Sequence, residues 1–309
     1  MSIVFVIDSD GKPLLPTHSA RSRKLLRDGR AVVKQVVPFT IQLNRRVDDS
    51  VGEFEVGVDD GAKYVGFAVK NIKTDEVVFR AQLDHRQDVS KKVEQRRNYR
   101  KARRFRLRNR QSRFSNRIRS KIAPSIRQRK DCVLRVINDL SKRLNIKKVR
   151  VEEVSFNHAK YRYGRYFSLV EIGKTYLREQ IQGLGLLYET TFGHITKENR
   201  LRLGLSKRHS HDACAVVESN KLIGVEYQIK PRRTKVWESN PTKTCTEKNG
   251  FRHYDLVKAS HRTRGIVIGS VRSLKAKCIT LRTKGCDNFP VSYNKTRLLQ
   301  RFNGLIYSF

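Results

Sequence analysis

Runs of alternating apolar and polar residues dominate the first third of the chain and predict β-strands. The first runs, together with a short helix capped by Ser19, form a small unit that a linker separates from a second set. The three closely spaced strands of the second set predict an antiparallel meander. The predicted strands are residues 3–7, 31–37 and 39–43, then 54–58, 64–70 and 76–83.

Helices and isolated strands are predicted in the middle of the chain, which is therefore mixed α/β. Pro124 begins a helix whose apolar positions recur every three or four residues, as in a helix that packs on a sheet. Those positions are Ile126, Val133, Val136, Ile137, Leu140 and Leu144. The elements predicted next are a strand at 148–154, a helix at 174–188 interrupted by Gly183 and Gly185, a helix at 212–218 and a strand at 223–229.

Short apolar segments separated by Ser, Gly, Lys and Pro follow Pro231. This pattern predicts a small barrel-like β domain with a short closing helix. The segments are residues 254–258, 265–271, 278–282 and 291–293, and the closing helix is 295–302.

The interval 91–121 has no apolar face of comparable size. It contains 15 Lys or Arg in 31 positions, with one acid, Glu94, and neither Gly nor Pro. Such a segment can be helical, but it has too little apolar surface to bury itself. We expect it to lie against nucleic acid, with Tyr99 and Phe105 anchoring it.

The composition of the whole chain agrees with a nucleic-acid partner. Lys and Arg number 67 against 29 Asp and Glu in 309 residues, a formal charge of +38, which favours a polyanionic partner. No apolar run reaches the ~18 residues needed to span a bilayer, and residues 3–7 lack the features of a signal peptide, so we expect a cytoplasmic protein with no membrane partner. Five cysteines without a C-x-x-C pair indicate neither a disulfide framework nor a four-ligand zinc site.

Because acidic residues are scarce, three of them stand out by position. Asp59 and Glu152 end predicted strands, and Asp212 begins a predicted helix. Carboxylates that converge from two strands and a helix can hold two Mg²⁺ ions ~3.5–4 Å apart for in-line attack on a phosphodiester. Taken singly, each is better explained as a helix cap or as a surface carboxylate that pairs with an Arg.

The order of five motifs resembles the split RuvC nuclease domain, of RNase H fold, in the transposon-encoded IscB family. The motifs are Val-Gly-Val-Asp-Asp-Gly-Ala-Lys at 56–63, the Arg-rich segment, Pro-Ser-Ile-Arg-Gln-Arg at 124–129, Val-Arg-Val-Glu at 149–152 and His-Ser-His-Asp-Ala at 209–213. Pro13-Leu-Leu-Pro16 and residues 21–29 resemble the P-L-M-P domain that opens these proteins, with Leu15 in place of Met. Residues 96–104 resemble their bridge helix, and residues 250–257 and 269–273 resemble the domain that reads a short target-adjacent motif.

One module of the IscB family has no counterpart in this sequence. IscB proteins insert an HNH nuclease between the second and third RuvC segments, whereas only a short junction, residues 185–209, stands there. The resemblance is therefore to IsrB, the HNH-lacking relative among these RNA-guided OMEGA systems, which acts as a nickase. TnpB, the nearest competing family, would carry a zinc-binding Cys cluster near the third RuvC segment, and the sequence has none.

The resemblance implies a catalytic set of four residues. Asp59, Glu152 and Asp212 correspond to the RuvC carboxylates that bind two Mg²⁺ ions, for which Mn²⁺ can substitute. His209 corresponds to the histidine that deprotonates the attacking water, a role that suits an imidazole. His211 is the alternative base.

Asp60 and Glu153 adjoin two of these carboxylates and are alternative ligands. Neighbouring side chains on a strand point to opposite faces, so only one member of each pair can face the metal ions.

The same resemblance assigns nucleic-acid contacts and domains. Arginines of the basic segment would hold an RNA–DNA hybrid by its phosphates; they are Arg96, Arg97, Arg100, Arg103, Arg104, Arg106, Arg108 and Arg110. The predicted domains are a small PLMP-type N-terminal domain (1–50), RuvC segment I (51–84), the bridge helix (85–122), RuvC segments II (123–190) and III (191–229), and a small β-rich C-terminal domain that contacts the target-adjacent motif (230–309).

We therefore expect an RNA-guided DNA endonuclease, a Mg²⁺-dependent nickase of the displaced strand. Its partners would be a long guide RNA and a double-stranded DNA target with a short adjacent motif, bound by one protein monomer in a prokaryotic ribonucleoprotein. An unguided, structure-selective RNase H-like endonuclease would explain the carboxylates but leaves the N-terminal unit and the basic helix unassigned. A non-catalytic RNA-binding protein would explain the charge but not the acidic triad.

Overall fold

The structure, a computed structural model, describes residues 3–48, 51–106, 122–154, 167–231, 247–283 and 288–308. Helices and strands are mixed, as predicted. The chain divides into two compact units. The first combines residues 1–50 with 229–308, and the second contains residues 51–228.

The N-terminal part of the first unit is a small sheet with one helix. Its elements are β1 (Ile3–Ile7), β2 (Thr17–His18), α1 (Ser19–Arg27), β3 (Ala31–Gln35) and β4 (Thr40–Leu43). The sheet has the order β2-β1-β4-β3, with β1 and β4 parallel. The predicted cap is off by one residue, because His18 rather than Ser19 caps α1, its Nδ1 accepting from the backbone N–H of Ala20 at 3.2 Å.

The C-terminal part of the first unit is built from strands, as predicted. They are β12 (Glu247–Lys248), β13 (Phe251–Arg252), β14 (Leu256–His261), β15 (Gly265–Leu274), β16 (Cys278–Arg282), β17 (Phe289–Ser292), β18 (Thr296–Gln300) and β19 (Leu305–Ser308). Five of them form an antiparallel sheet in the order β17-β16-β15-β14-β18. The predicted closing helix at 295–302 is wrong: after a 3-10 helix at Tyr293–Lys295 the chain forms β18, which pairs with β14 and packs Leu298 on the core of this sheet.

Side-chain hydrogen bonds connect the two parts of the first unit. The amide of Gln300 accepts from the backbone N–H groups of Val36 and Val37 at 3.1 and 2.9 Å and donates to the carbonyl of Val37 at 3.0 Å. Gln300 thus satisfies backbone groups that follow β3, which ends at Gln35 instead of continuing to residue 37 as predicted.

The second unit is a mixed sheet covered by helices. Its strands are β5 (Phe54–Asp59), β6 (Tyr64–Asn71), β7 (Glu76–Asp84), β8 (Ile146–Glu153), β9 (Leu187–Phe192) and β10 (Lys221–Leu222). A further strand, β11 (Glu226–Pro231), begins in the second unit and ends in the first. β5, β6 and β7 form the predicted antiparallel meander. β8 pairs parallel to β5, and β9 parallel to β8, so the carboxyl ends of all three lie at one edge of the sheet.

Within the described ranges, the helices of this unit are α2 (Val89–Arg106), α3 (Pro124–Ser141), α4 (Phe167–Gly183), α5 (Gly193–Arg202) and α6 (His209–Val216). α3 has Pro124 at its start, as expected, and buries Val133, Val136, Ile137 and Leu140. α2 buries none of its side chains. Tyr99 and Phe105, expected to anchor α2, are 73% and 88% exposed, so the described part of the chain does not hold them.

Strand β9 and helix α5 were not predicted from the sequence. The predicted helix at 174–188 ends early, at Gly183, and Tyr188 lies on β9. The segment Leu-Tyr-Glu-Thr-Thr-Phe is rich in aromatic and β-branched residues, a strand signal that outweighs continuation of the helix past Gly185. β9 then leads directly into α5.

Two glycines allow α6 to lie very close to the sheet. A Cβ at Gly66 on β6 would overlap the carbonyl oxygen of His209, and a Cβ at Gly57 on β5 would overlap that of Ala213. Ala213 and Cys214 of α6 are fully buried against this part of the sheet. The small size of these glycines therefore sets the position of α6. Of the helices in the described ranges, none is long and apolar enough to cross a membrane.

Candidate active site

Two predicted ligands lie side by side at the edge of the sheet where β5 and β8 end. Asp59 is the last residue of β5, and it stands in register with Glu152 on the parallel strand β8. Residues in register on adjacent strands share a face of the sheet. Both carboxylates therefore belong to the face of the sheet that α6 covers.

α6 brings the other two predicted residues to this edge. The Nδ1 atom of His209 lies 2.7 Å from Oδ2 of Asp59, and the His209 ring lies 5.5 Å from that of Tyr64, centroid to centroid. One possible ligand atom from each of Asp59, His209 and Asp212 lies within 4.8 Å of the others. The fold thus brings Asp59 next to His209 and Asp212, although Asp59 and His209 are 150 positions apart in the sequence.

Glu152 lies beside this group of three rather than within it. Its negative charge acts on Asp59 and raises the pKa of that carboxyl group. A Cβ on Gly193, the first residue of α5, would lie 3.0 Å from Oε1 of Glu152. The first turn of α5 therefore packs tightly against the Glu152 carboxylate.

The electrostatics of the cluster fit a divalent cation. Burial raises the pKa of Asp59 to about 6; the hydrogen bond with His209 opposes this rise, and the charges of Glu152 and Asp212 add to it. A cation bound between these carboxylates would offset their mutual repulsion and favour their charged form. Carboxylate oxygens are the ligands that Mg²⁺ and Mn²⁺ prefer, so Asp59, Asp212 and the adjacent Glu152 would hold the cations, with His209 beside them.

The neighbouring acids face elsewhere, as strand alternation predicts. Asp60 pairs with Lys130 of α3. Glu153 accepts a hydrogen bond of 2.6 Å from the hydroxyl of Tyr188 and lies 3.5 Å from a guanidinium nitrogen of Arg178. Burial, and then the bond to Glu153, raise the pKa of Tyr188. These two acids are thus neutralised away from Asp59 and Glu152.

The two histidines of α6 occupy different environments. His209 contacts Asp59, whereas the ring of His211 lies 3.2 Å from a guanidinium nitrogen of Arg80 and 3.0 Å from the hydroxyl of Ser206. His211 therefore belongs to a contact between α6 and the meander, and His209 is the histidine that faces the carboxylates.

A fifth residue at the site was not identified from the sequence. The Nε atom of Arg200, on α5, lies 2.9 Å from Oδ1 of Asp212. Because α5 was not predicted, nothing in the sequence distinguished Arg200 from the many other basic residues. A helical assignment of residues 193–202 would have placed it in the last turn of a helix that ends shortly before the His-Ser-His-Asp motif.

The predicted nucleic-acid contacts are on an exposed helix. Six of the eight arginines lie on α2, and all six side chains are solvent-exposed; they are Arg96, Arg97, Arg100, Arg103, Arg104 and Arg106. Arg108 and Arg110 lie outside the described residues. α2 thus offers a continuous basic surface.

Comparison with solved structures gives weak overall similarities. RuvC of T. thermophilus in complex with a Holliday junction substrate matches with a TM-score of 0.34 and 13% identity, covering 54% of this chain and 90% of RuvC. The simian T-cell lymphotropic virus intasome in complex with the PP2A regulatory subunit B56 gamma matches with a TM-score of 0.17 and 7% identity, covering 80% of this chain and 81% of the other. Neither similarity is strong enough to support an argument.

Comparison with sequence families is more informative. The search of curated proteins gives no match. The family model described as "RRXRR protein" matches residues 4–174, which include the N-terminal unit, the basic helix, Asp59 and Glu152. This match spans more than half of the 309 residues, and the chain therefore belongs to the RRXRR protein family.

Proposed function

We propose that this protein is a divalent-cation-dependent nuclease, and specifically an RNA-guided nickase of the IsrB type that cuts the displaced DNA strand. The observation that carries the proposal is the convergence of Asp59, Asp212 and His209, with Glu152 in register beside Asp59. The charge of +38 and the exposed basic helix supply the polyanion-binding surface that such a nuclease needs. The RRXRR family is itself linked to proteins of the IscB and IsrB type.

The residues of the site divide the chemistry between them. Asp59, Glu152 and Asp212 would hold two Mg²⁺ ions, which would supply Lewis-acid activation of the phosphodiester. With the Nδ1–H of His209 donating to Asp59, the Nε2 atom of the neutral ring is free to accept a proton from the attacking water. The hydrogen bond to Asp59 also orients the His209 ring, which is therefore held beside the carboxylates that would bind the cations.

The remaining parts of the chain serve recognition in this proposal. The arginines of α2 and the segment after it hold the guide RNA–DNA hybrid by its backbone, and residues 230–309 read a short motif in the duplex. The strand paired with the guide is retained along the basic helix. The displaced strand is then the one that is free to enter the carboxylate site, so one strand is cut.

A bound guide RNA is the first expected result. The complex should be purified from expressing cells without nuclease treatment, in salt low enough to keep phosphate contacts, and its RNA sequenced. We expect one abundant RNA of defined length and fixed ends. Heterogeneous RNA, or none, would instead favour the unguided endonuclease or a general RNA-binding protein.

Strand-specific cleavage tests the nickase activity. The two strands of a target duplex are labelled separately, and the purified complex with its cognate RNA is incubated with Mg²⁺ and analysed on denaturing gels. We expect cutting of the displaced strand only, and no cutting after chelation of the metal. Efficient cutting of both strands by the same complex would contradict a nickase and indicate one centre that serves both strands.

The basic helix should act on the nucleic-acid backbone without reading sequence. Replacing Arg100, Arg103 and Arg104 by Ala removes up to three phosphate contacts, so the slope of log K against log salt should shrink by up to about 2–3 units. Affinity should fall equally for different guides. The measurement is a filter-binding titration over a salt series, and a loss confined to particular guide sequences would contradict the backbone role.

A further inference from the structure

Helix α5 contacts the carboxylate cluster at two places. Gly193 at its start packs against Glu152, and Arg200, two turns later, pairs with Asp212. Residues seven apart lie on the same face of a helix, about 10 Å from each other along its axis. One face of α5 therefore borders the candidate metal site from Glu152 to Asp212.

The pair between Arg200 and Asp212 is shielded from solvent. Their side chains are only 13% and 20% exposed, so water and salt screen the attraction far less than in a surface ion pair. A guanidinium is protonated at any physiological pH. Among the described residues, Arg200 is the permanently charged side chain that directly contacts one of the three carboxylates, whereas His209 is charged only when it is protonated.

Contacts other than this ion pair also hold α5 in place. Thr196 of α5 is buried, and the side-chain amide of Asn199 lies 3.4 Å from the carbonyl oxygen of Ala215 on α6. The backbone N–H of Leu205, just after the helix, donates to the carbonyl of Arg200. Packing and backbone contacts thus fix α5, and the charge of Arg200 is available for another role.

We propose that Arg200 is a built-in counter-cation of Asp212 with which the divalent cation must compete, so that Arg200 sets the metal affinity of the site. This proposal rests on the metal-dependent function proposed above. The guanidinium neutralises part of the charge of the cluster and pairs with Oδ1 of Asp212. A cation that binds Asp212 has to overcome both effects, which raises the metal concentration needed for loading.

The test measures binding of Mn²⁺ alone to the purified full-length chain, by the loss of the free-ion signal in electron paramagnetic resonance. Arg200→Met keeps the bulk of the side chain and removes its charge, and it should tighten Mn²⁺ binding by at least about tenfold. Arg200→Lys keeps the charge and should stay within about threefold of the parent protein.

Two control variants make the result specific. Arg202→Met makes the same change on the same helix, but Arg202 is 63% exposed and its closest acidic partner is Glu218, at 4.0 Å, so Mn²⁺ affinity should not change. Asp212→Asn removes a proposed ligand and defines the binding that belongs to the site. Thermal unfolding by circular dichroism verifies each fold, and Arg200→Gln replaces the Met variant if that variant is unfolded.

Each outcome has a defined meaning. Unchanged or weaker Mn²⁺ binding by folded Arg200→Met would overturn the counter-cation role, and so would equal tightening by the Lys and Met variants. Identical Mn²⁺ binding by the parent chain and Asp212→Asn would contradict the metal site itself, and with it both proposals. A parent chain that binds Mn²⁺ at the site but cuts no DNA would contradict the nickase function and leave the result for Arg200 standing.

Discussion

Replacing Asp59, Glu152 or Asp212 by the corresponding amide, or by Ala, should abolish Mg²⁺-dependent cutting while nucleic-acid binding persists. In the proposed mechanism, each change removes one of the three carboxylates that together hold the cations. The exposed arginines of α2, to which we assign the binding energy, lie on a different element. The measurement combines single-turnover cleavage of a labelled duplex with a binding titration of the same variant.

Neighbouring residues of the same chemistry supply the control. Glu153→Gln makes the same change as Glu152→Gln one position along β8, and the new side chain can still accept the hydrogen bond from Tyr188. Cutting should therefore remain within about threefold of the parent chain, as expected for a residue that does not touch the reacting groups. Full cutting by Glu152→Gln, or loss of cutting by Glu153→Gln alone, would show that the wrong member of the pair had been chosen.

Gly66→Ala should both destabilise the second unit and reduce cutting. The new methyl group would overlap the carbonyl oxygen of His209, and it would also lie 3.2 Å from Cβ of Ala213, so α6 has to move away from the sheet. Overpacking of this kind costs about 3 kcal/mol. We expect a loss of that size in denaturant unfolding, together with reduced cleavage, because His209 and Asp212 move with the helix.

Gly183→Ala is the matched control for this prediction. Gly183 lies at the end of α4, and a Cβ there would meet nothing within 4 Å. Because Ala is a better helix former than Gly by about 1 kcal/mol, this variant should be as stable as the parent chain or slightly more so. Equal stability of the Gly66 and Gly183 variants would mean that α6 does not rest on β6 as described.

Local sequence pattern was sufficient for the elements whose partners are close along the chain. The meander β5–β7 was predicted because each strand pairs with the next, so the alternation of apolar residues and the intervening turns carry the necessary information. Pro124 and the three- to four-residue spacing after it likewise predicted α3. By contrast, residues 296–300 form a strand because β14 offers them a partner and a core, which no local signal shows.

The sequence by itself determined the chemistry available to this protein: a large excess of cations, a helix too basic to bury itself, and a few acids at the ends of strands. The tertiary structure decided which of these groups meet. Asp59 and His209 come together because Gly57 and Gly66 allow α6 to lie against β5 and β6. The same placement aims His209 rather than His211 at the carboxylates, and the packing of α5 adds Arg200. Such contacts depend on the close approach of elements that are distant in sequence, and the periodicity of residues along the chain does not predict that approach.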